Sequence, residues 1–205
     1  MRNIVLVISY EGTEFHGWQR QHRTRTVQGV LEQAIEQLTG ATANTTASGR
    51  TDAGVHALGQ VVQFLTTSRH PPEVFVKALN ALLPADVRVL EAREAPQSFH
   101  ATLDAKRKLY RYVIDNGRIA DPFQRRFSHH VFAALDAAAM HRAAQALKGR
   151  HDFHSFETEW PNRTSSVRTI SRIAVSRMLN FVWIDVEADG FLYNMVRSIT
   201  GTLIL

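Results

Sequence analysis

From Ile4 to Tyr10 the chain is aliphatic and β-branched for most of its length, the content of a buried strand. Thr26 is suited to capping a helix. Behind it Val27, Val30, Leu31, Ala34, Ile35 and Leu38 recur on one helical face until Gly40 stops the run. The pattern next predicts a strand at Thr42 to Ala47, a loop at Ser48 to His56 and a strand at Gln60 to Thr66. Pro71-Pro72 opens a second helix carrying Phe75, Ala78, Leu79 and Leu82, ended by Pro84, and Val87 to Glu91 is again a strand. The order β-α-β-β-α-β is that of a ferredoxin-like unit.

The order then partly repeats. Leu109 to Asp115 reads as a strand, and an irregular stretch follows around Asp121-Pro122. Asp136 caps a helix with Met140, Ala143, Ala144 and Leu147 on one face and Gly149 at its end. Val167 to Arg177 and Phe181 to Glu187 form two strands around a turn at Asn180. A last helix starts near Phe191 and carries Leu192, Val196, Ile199 and Leu203. The expected division is an N-terminal ferredoxin-like half, 1–105, and a C-terminal half, 106–205. The second half is one strand short. An apolar Leu203-Ile204-Leu205 end without a cap points to truncation before that strand rather than to a short protein covering the helix by dimerising.

Apolar residues make up 44% of the 205 residues and charged residues 21%, enough to build a packed core. The absence of cysteine excludes disulfides, thiolate nucleophiles, Fe–S clusters and thiolate zinc sites. The opening MRNIVLVISYEG is too short and too interrupted for a signal peptide, and no run approaches the roughly 20 apolar residues of a membrane span. A cytoplasmic protein is expected. The net charge is +5, and of 24 basic residues all but Lys77, Lys106, Lys108 and Lys148 are Arg. Arg presents a planar fork of donors to phosphate and stacks on bases, which suits nucleic acid; a genomic preference for Arg codons accounts for the bias equally well.

The richest local signal is Gly49-Arg50-Thr51-Asp52-Ala53-Gly54-Val55-His56, which packs two glycines, a carboxylate, a guanidinium and an imidazole between two predicted strands. Glycines there permit a tight backbone path and close approach by a ligand. On residue types alone a structural turn explains the segment better than a reaction centre does.

The stretch GRTDAGVHALGQVV nevertheless resembles the signature of the TruA family of tRNA pseudouridine synthases, whose loop Asp is catalytic. Tyr10-Glu11-Gly12 with Phe15-His16-Gly17-Trp18-Gln19-Arg20-Gln21 resembles the family's opening YDG…GWQRQ motif. Phe99-His100-Ala101 and Lys108-Leu109-Tyr110-Arg111-Tyr112 resemble its FHAR…YRY segment. Asp152-Phe153…Ser155-Phe156 and Phe191…Asn194-Met195-Val196-Arg197 resemble its later motifs. The ordered set runs through nearly the whole chain.

The resemblance implies an α+β pseudouridine synthase fold. Two ferredoxin-like halves would share an extended, mainly antiparallel sheet with helices on one face and the active cleft between the halves. It implies a homodimer acting on the anticodon stem-loop of tRNA, at tRNA nucleotides 38, 39 and 40, with no metal, cofactor or nucleotide. Asp52 aligns with the essential aspartate and Arg50 with the arginine beside it. Tyr110 aligns with the tyrosine that lies against the target base, and Arg197 with a basic residue that pairs with the catalytic Asp. On residue types alone Tyr110 also suits a strand core, and Arg197 a solvated helix face.

For RNA binding the basic groups are Arg20, Arg23 and Arg25; Lys106, Arg107, Lys108 and Arg111; Arg125 and Arg126 with His129 and His130; and Arg163, Arg168 and Arg172. Arg20, Lys108 and Arg111 with Tyr110 are the expected substrate contacts. His151 and His154 have helix-like metal spacing, but no further ligand completes a set. No P-loop or Rossmann glycine pattern occurs. Two other readings remain: a non-catalytic RNA-binding protein, and a glycosidic-bond enzyme that excises or exchanges the base.

Overall fold

The computed structural model describes residues 1–158 and 165–205, so Arg163 of the fourth basic group lies outside the described residues. The chain forms two compact units, Met1–Ala105 and Lys106–Leu205.

The first unit runs β1 (Arg2–Tyr10), α1 (Val27–Thr39), β2 (Thr45–Ala47), β3 (Ala57–Thr66), α2 (Pro72–Leu82) and β4 (Val87–Ala95). The strands form an antiparallel sheet in the order β2-β3-β1-β4. Strand alternation turns Ile4, Leu6, Ile8 and Tyr10 to one face, where they meet Val62 and Phe64 of β3 and Val87 and Val89 of β4. Both helices cover that face. Val27, Leu31, Ala34 and Ile35 of α1 and Phe75 and Leu79 of α2 join the same core, with Phe64 and Phe75 edge to face at 5.7 Å. Truncating one such residue, for example Leu31→Ala, costs roughly 2–5 kcal/mol.

The ends of α1 are as the sequence foretells. Thr26 Oγ1 accepts the Gly29 N–H, and Gly40 closes the helix in the left-handed region with its N–H on Glu36 O.

The chain beyond β4 packs on part of the opposite face of this sheet. Asn3 Nδ2 donates to Pro96 O and Phe99 O, the Ala101 N–H donates to the Gln63 side chain, and the Thr102 hydroxyl donates to Ala47 O at 2.7 Å. This gives the Phe99-His100-Ala101 motif a packing role.

The second unit runs β5 (Lys108–Asp115), β6 (His129–His130), α3 (Ala137–Ala144), β7 (Gly149–Asp152), β8 (Val167–Met178), β9 (Phe181–Ala188) and α4 (Met195–Ile204). Its sheet has the order β6-β5-β9-β8-β7, antiparallel except for the β5–β6 pair. Val182, Ile184, Val186 and Ala188 of β9 pack with Met140 and Ala144 of α3 and with Met195 and Ile199 of α4.

Several sequence expectations shift here. Strands β6 and β7 have only two and four residues, too short for a readable alternation. The helix read as continuing to Gly149 stops at Ala144, passes into a 3₁₀ turn over 145–147, and Gly149 (φ 112°) begins β7 instead. Helix α4 starts at Met195, not near Phe191, because Asn194 sits in the left-handed region (φ 57°) and breaks the helical path. The strand read over Thr42 to Ala47 is confined to Thr45–Ala47, the residues of that stretch that pair with β3. Among the described residues no helix is long and apolar enough to cross a membrane.

Candidate active site

The segment Ser48–His56 leaves β2 and enters β3 as an irregular loop, with Arg50 and Asp52 both exposed. Its base is tied to β3 by the Ser48 N–H on Val61 O at 2.8 Å and by the Gln60 side-chain amide donating to Gly49 O. Its far side rests on residues 10–18, the last residue of β1 and the strip that follows it.

The Trp18 N–H donates to Thr51 O at 3.0 Å, and the Gly54 N–H donates to Phe15 O at 3.2 Å. The hydroxyls of Tyr10 and Thr51 share a hydrogen bond of 2.7 Å. The Gly12 N–H donates to His56 Nδ1 at 2.9 Å, which requires that nitrogen to be the unprotonated one, and Glu11 Oε1 lies 3.9 Å from the same atom. Phe15 and Trp18 are buried in the helix-side core, so the platform under the loop belongs to that core.

Two glycines explain why the strip and the loop can touch. A Cβ on Gly12 would lie 2.1 Å from Val55 O. One on Gly17, whose φ is 82°, would lie 2.6 Å from Thr51 O. Backbone therefore meets backbone directly, and the exposed Asp52 is carried on a frame fixed on both sides.

Arg20 follows the same strip. Its guanidinium reaches Glu32 Oε2 at 3.1 Å, and its backbone N–H donates to Gln28 Oε1. Glu32 is 5% exposed, and its Oε1 also accepts from the Thr45 N–H, the Thr45 hydroxyl and the Gln28 side chain. The expected RNA contact is thus anchored to α1 and β2 while most of its side chain stays in solvent.

In the second unit Tyr110 lies on β5, half-buried, with its ring edge-on to Phe191 at 4.8 Å. Arg111 is bound through Nε and Nη2 to both oxygens of Asp185, its cross-strand partner on β9, at 2.7 and 2.8 Å. Its guanidinium stacks on Trp183 at 4.5 Å. The hydrogen bond to Asp185 holds the Arg111 guanidinium further above its ordinary range. Lys108 opens β5, and Arg197 is exposed in the first turn of α4. Among the described residues no group of three or more His, Asp or Glu side chains is placed to hold a metal ion.

Sequence reading missed the Tyr10–Thr51 pair, the Glu32 anchor of Arg20 and the Asp185 partner of Arg111. The last had a signal: both residues lie on strands, and opposite charges facing each other across a ladder stabilise it.

Comparison with known proteins gives the family to which this α+β chain belongs. A family model described as tRNA pseudouridine synthase matches residues 6–104 and 143–205. The chain belongs to this tRNA pseudouridine synthase family, within its TruA branch. It is 44% identical over 203 residues to the tRNA pseudouridine synthase A of Thermoanaerobacter sp. (strain X514), covering 99% of this chain and 83% of that protein. It is 47% identical over 201 residues to the protein of the same name from Moorella thermoacetica, covering 97% and 82%. With that of Pseudoalteromonas atlantica it shares 42% identity over 201 residues, covering 98% and 76%. Lys108, Tyr110 and Arg111 fall between the two blocks matched by the family model; Asp52 and Arg197 fall within them.

Proposed function

We propose that this protein isomerises uridine to pseudouridine in the anticodon stem-loop of tRNA, at tRNA nucleotides 38, 39 and 40. The observation that carries this reading is membership of the family together with an exposed Asp52 on its clamped loop. The reaction breaks the C1′–N1 bond, turns the uracil, joins C5 to C1′ and releases the C5 proton to solvent while N1 takes up a proton, so that no atom is gained or lost overall. It needs neither oxidant nor nucleotide. Asp52 supplies the carboxylate, either by adding covalently to the nucleoside or by removing a sugar proton to give a glycal; both routes use one exposed carboxylate.

The target base leaves its stack at a cost of about a few kcal/mol. Arg50, exposed two residues before Asp52, suits the vacated space, and Tyr110 offers a ring face for the flipped base. Arg197 is the intended partner of the carboxylate. A cation in the first turn of a helix opposes the helix dipole, so its place there favours a negative partner from outside the helix. Arg20, Lys108 and Arg111 contact the RNA backbone; Arg111 has two of its nitrogens on Asp185 and offers the third.

The same reading includes two ferredoxin-like halves. It also includes a homodimer at work in the cytoplasm.

The test is release of tritium from a transcribed tRNA carrying C5-labelled uridine. The parent should release label, and Asp52→Asn should release none while keeping tRNA affinity. Release of free uracil instead of formation of a C-glycoside would mean base excision. Tight binding with silence from the parent would mean an RNA-binding protein without this activity.

A further inference from the structure

Asp52 sits between two differently held neighbours. After it, the Gly54 N–H is bound to Phe15 O and the Val55 N–H turns back to Asp52 O at 3.1 Å. Before it, Thr51 is held twice: its carbonyl by the Trp18 N–H, its hydroxyl by the Tyr10 phenol at 2.7 Å. Tyr10 is the last residue of β1, 4% exposed, with its ring in the core beneath the helices. The phenol therefore links the buried core of the unit to the residue one peptide bond from the carboxylate.

The Trp18 N–H already fixes the carbonyl of the 51–52 peptide. The tie through the hydroxyl adds a second constraint, on the Thr51 side chain, whose branched Cβ leaves it few rotamers and so couples it to the backbone before Asp52. The ladder of β1 is also irregular here. Its register with β3 shifts between Ile8 and Tyr10, which re-aims the strand end that presents the phenol.

We propose that Tyr10 and Thr51 act as a positioning pair that sets the angle at which Asp52 meets the nucleoside. This rests on the synthase reading given above. Neither residue touches substrate; their effect passes through the Asp52 backbone. A pair of this kind contributes to the chemical step, where a displacement of about 1 Å can cost about a hundredfold, and contributes little to holding the tRNA.

The experiment is single-turnover tritium release with tRNA affinity measured in parallel, on the parent, Tyr10→Phe, Thr51→Val, Thr51→Ser and the Tyr10→Phe/Thr51→Val double variant. Both single losses of hydroxyl should slow the chemical step by about tenfold or more with tRNA affinity within about twofold of the parent. Thr51→Ser, which keeps the hydroxyl, should recover most of the rate. The double variant should be no slower than the worse single one, since either change breaks the same bond. Full rates in the variants, multiplied losses in the double, or a loss of affinity without loss of rate would each overturn the pairing. An inactive parent would remove the synthase reading and this inference with it; an active parent with unaffected variants would remove this inference alone.

Discussion

At the scale of single residues, the chemistry depends on a few atoms whose freedom has been removed by their neighbours. Gly17 shows this most directly. A methyl group there would meet Thr51 O at 2.6 Å, and the backbone φ of 82° is one that side chains resist. Gly17→Ala should therefore displace the loop carrying Asp52 and lower activity by about tenfold or more, while the core of the unit survives. Amide exchange would show this as faster exchange confined to residues 51–55. Arg197 should behave differently, because it is exposed and its proposed role is through charge. Arg197→Ala is expected to reduce turnover more than tRNA affinity, read as a fall in kcat with KM little changed. A selective loss of tRNA binding would place it among the phosphate contacts instead.

Among the elements, the connection after β5 is organised by one buried carboxylate. Asp115, 3% exposed at the end of β5, accepts the N–H groups of Asp121 at 2.8 Å and Gly117 at 3.0 Å. Asn116 beside it donates to Val131 O and Ala133 O. The backbone donors of Asp121 and Gly117 hold the Asp115 carboxyl below its ordinary range. A carboxyl depressed in the folded state stabilises the fold above its unfolded value of about 3.9, and that contribution is lost as the pH falls through the folded value. Asp115→Asn should thus be less stable than the parent at neutral pH, with the gap in melting temperature closing below about pH 4. A gap that stayed constant down to low pH would show that the charge contributes nothing. Asp136 caps α3 in the same manner, accepting from Ala138 and Ala139, but at a solvent-exposed position.

Across the whole molecule, the excess of Arg over Lys and the net charge of +5 give association with RNA an ionic component. Several of these cations are already engaged by carboxylates: Arg2 by Glu94, Arg20 by Glu32, Arg25 by Asp86, Arg107 by Glu187 and Arg111 by Asp185. Counting basic residues therefore overstates the phosphate contacts. The salt dependence of tRNA binding should correspond to markedly fewer neutralised phosphates than 24, and Arg20→Ala should weaken binding to all tRNA substrates alike. The proposed homodimer is checked by sedimentation, which should give twice the mass of the chain.

What the sequence by itself determined was whatever short-range chemistry or strong periodicity controls. The α1 helix with its Thr26 and Gly40 ends, the long strands, and the extent of the Ser48–His56 loop were all legible, because caps, turns and apolar spacing act over a few residues. The catalytic role proposed for Asp52 comes only through resemblance, since glycines and an aspartate in a loop are also what an ordinary turn requires. Tertiary structure alone decided the short strands β6 and β7, which carry too few residues for a pattern and exist through their partners. It alone decided the shortened start of α4, where one residue in the left-handed region outweighs an apolar face. It alone brought Tyr10 to Thr51, 41 positions apart in the chain. That last juxtaposition has no local signature, because a hydrogen bond between distant hydroxyls is set by how β1 and the loop before β3 are packed against one core.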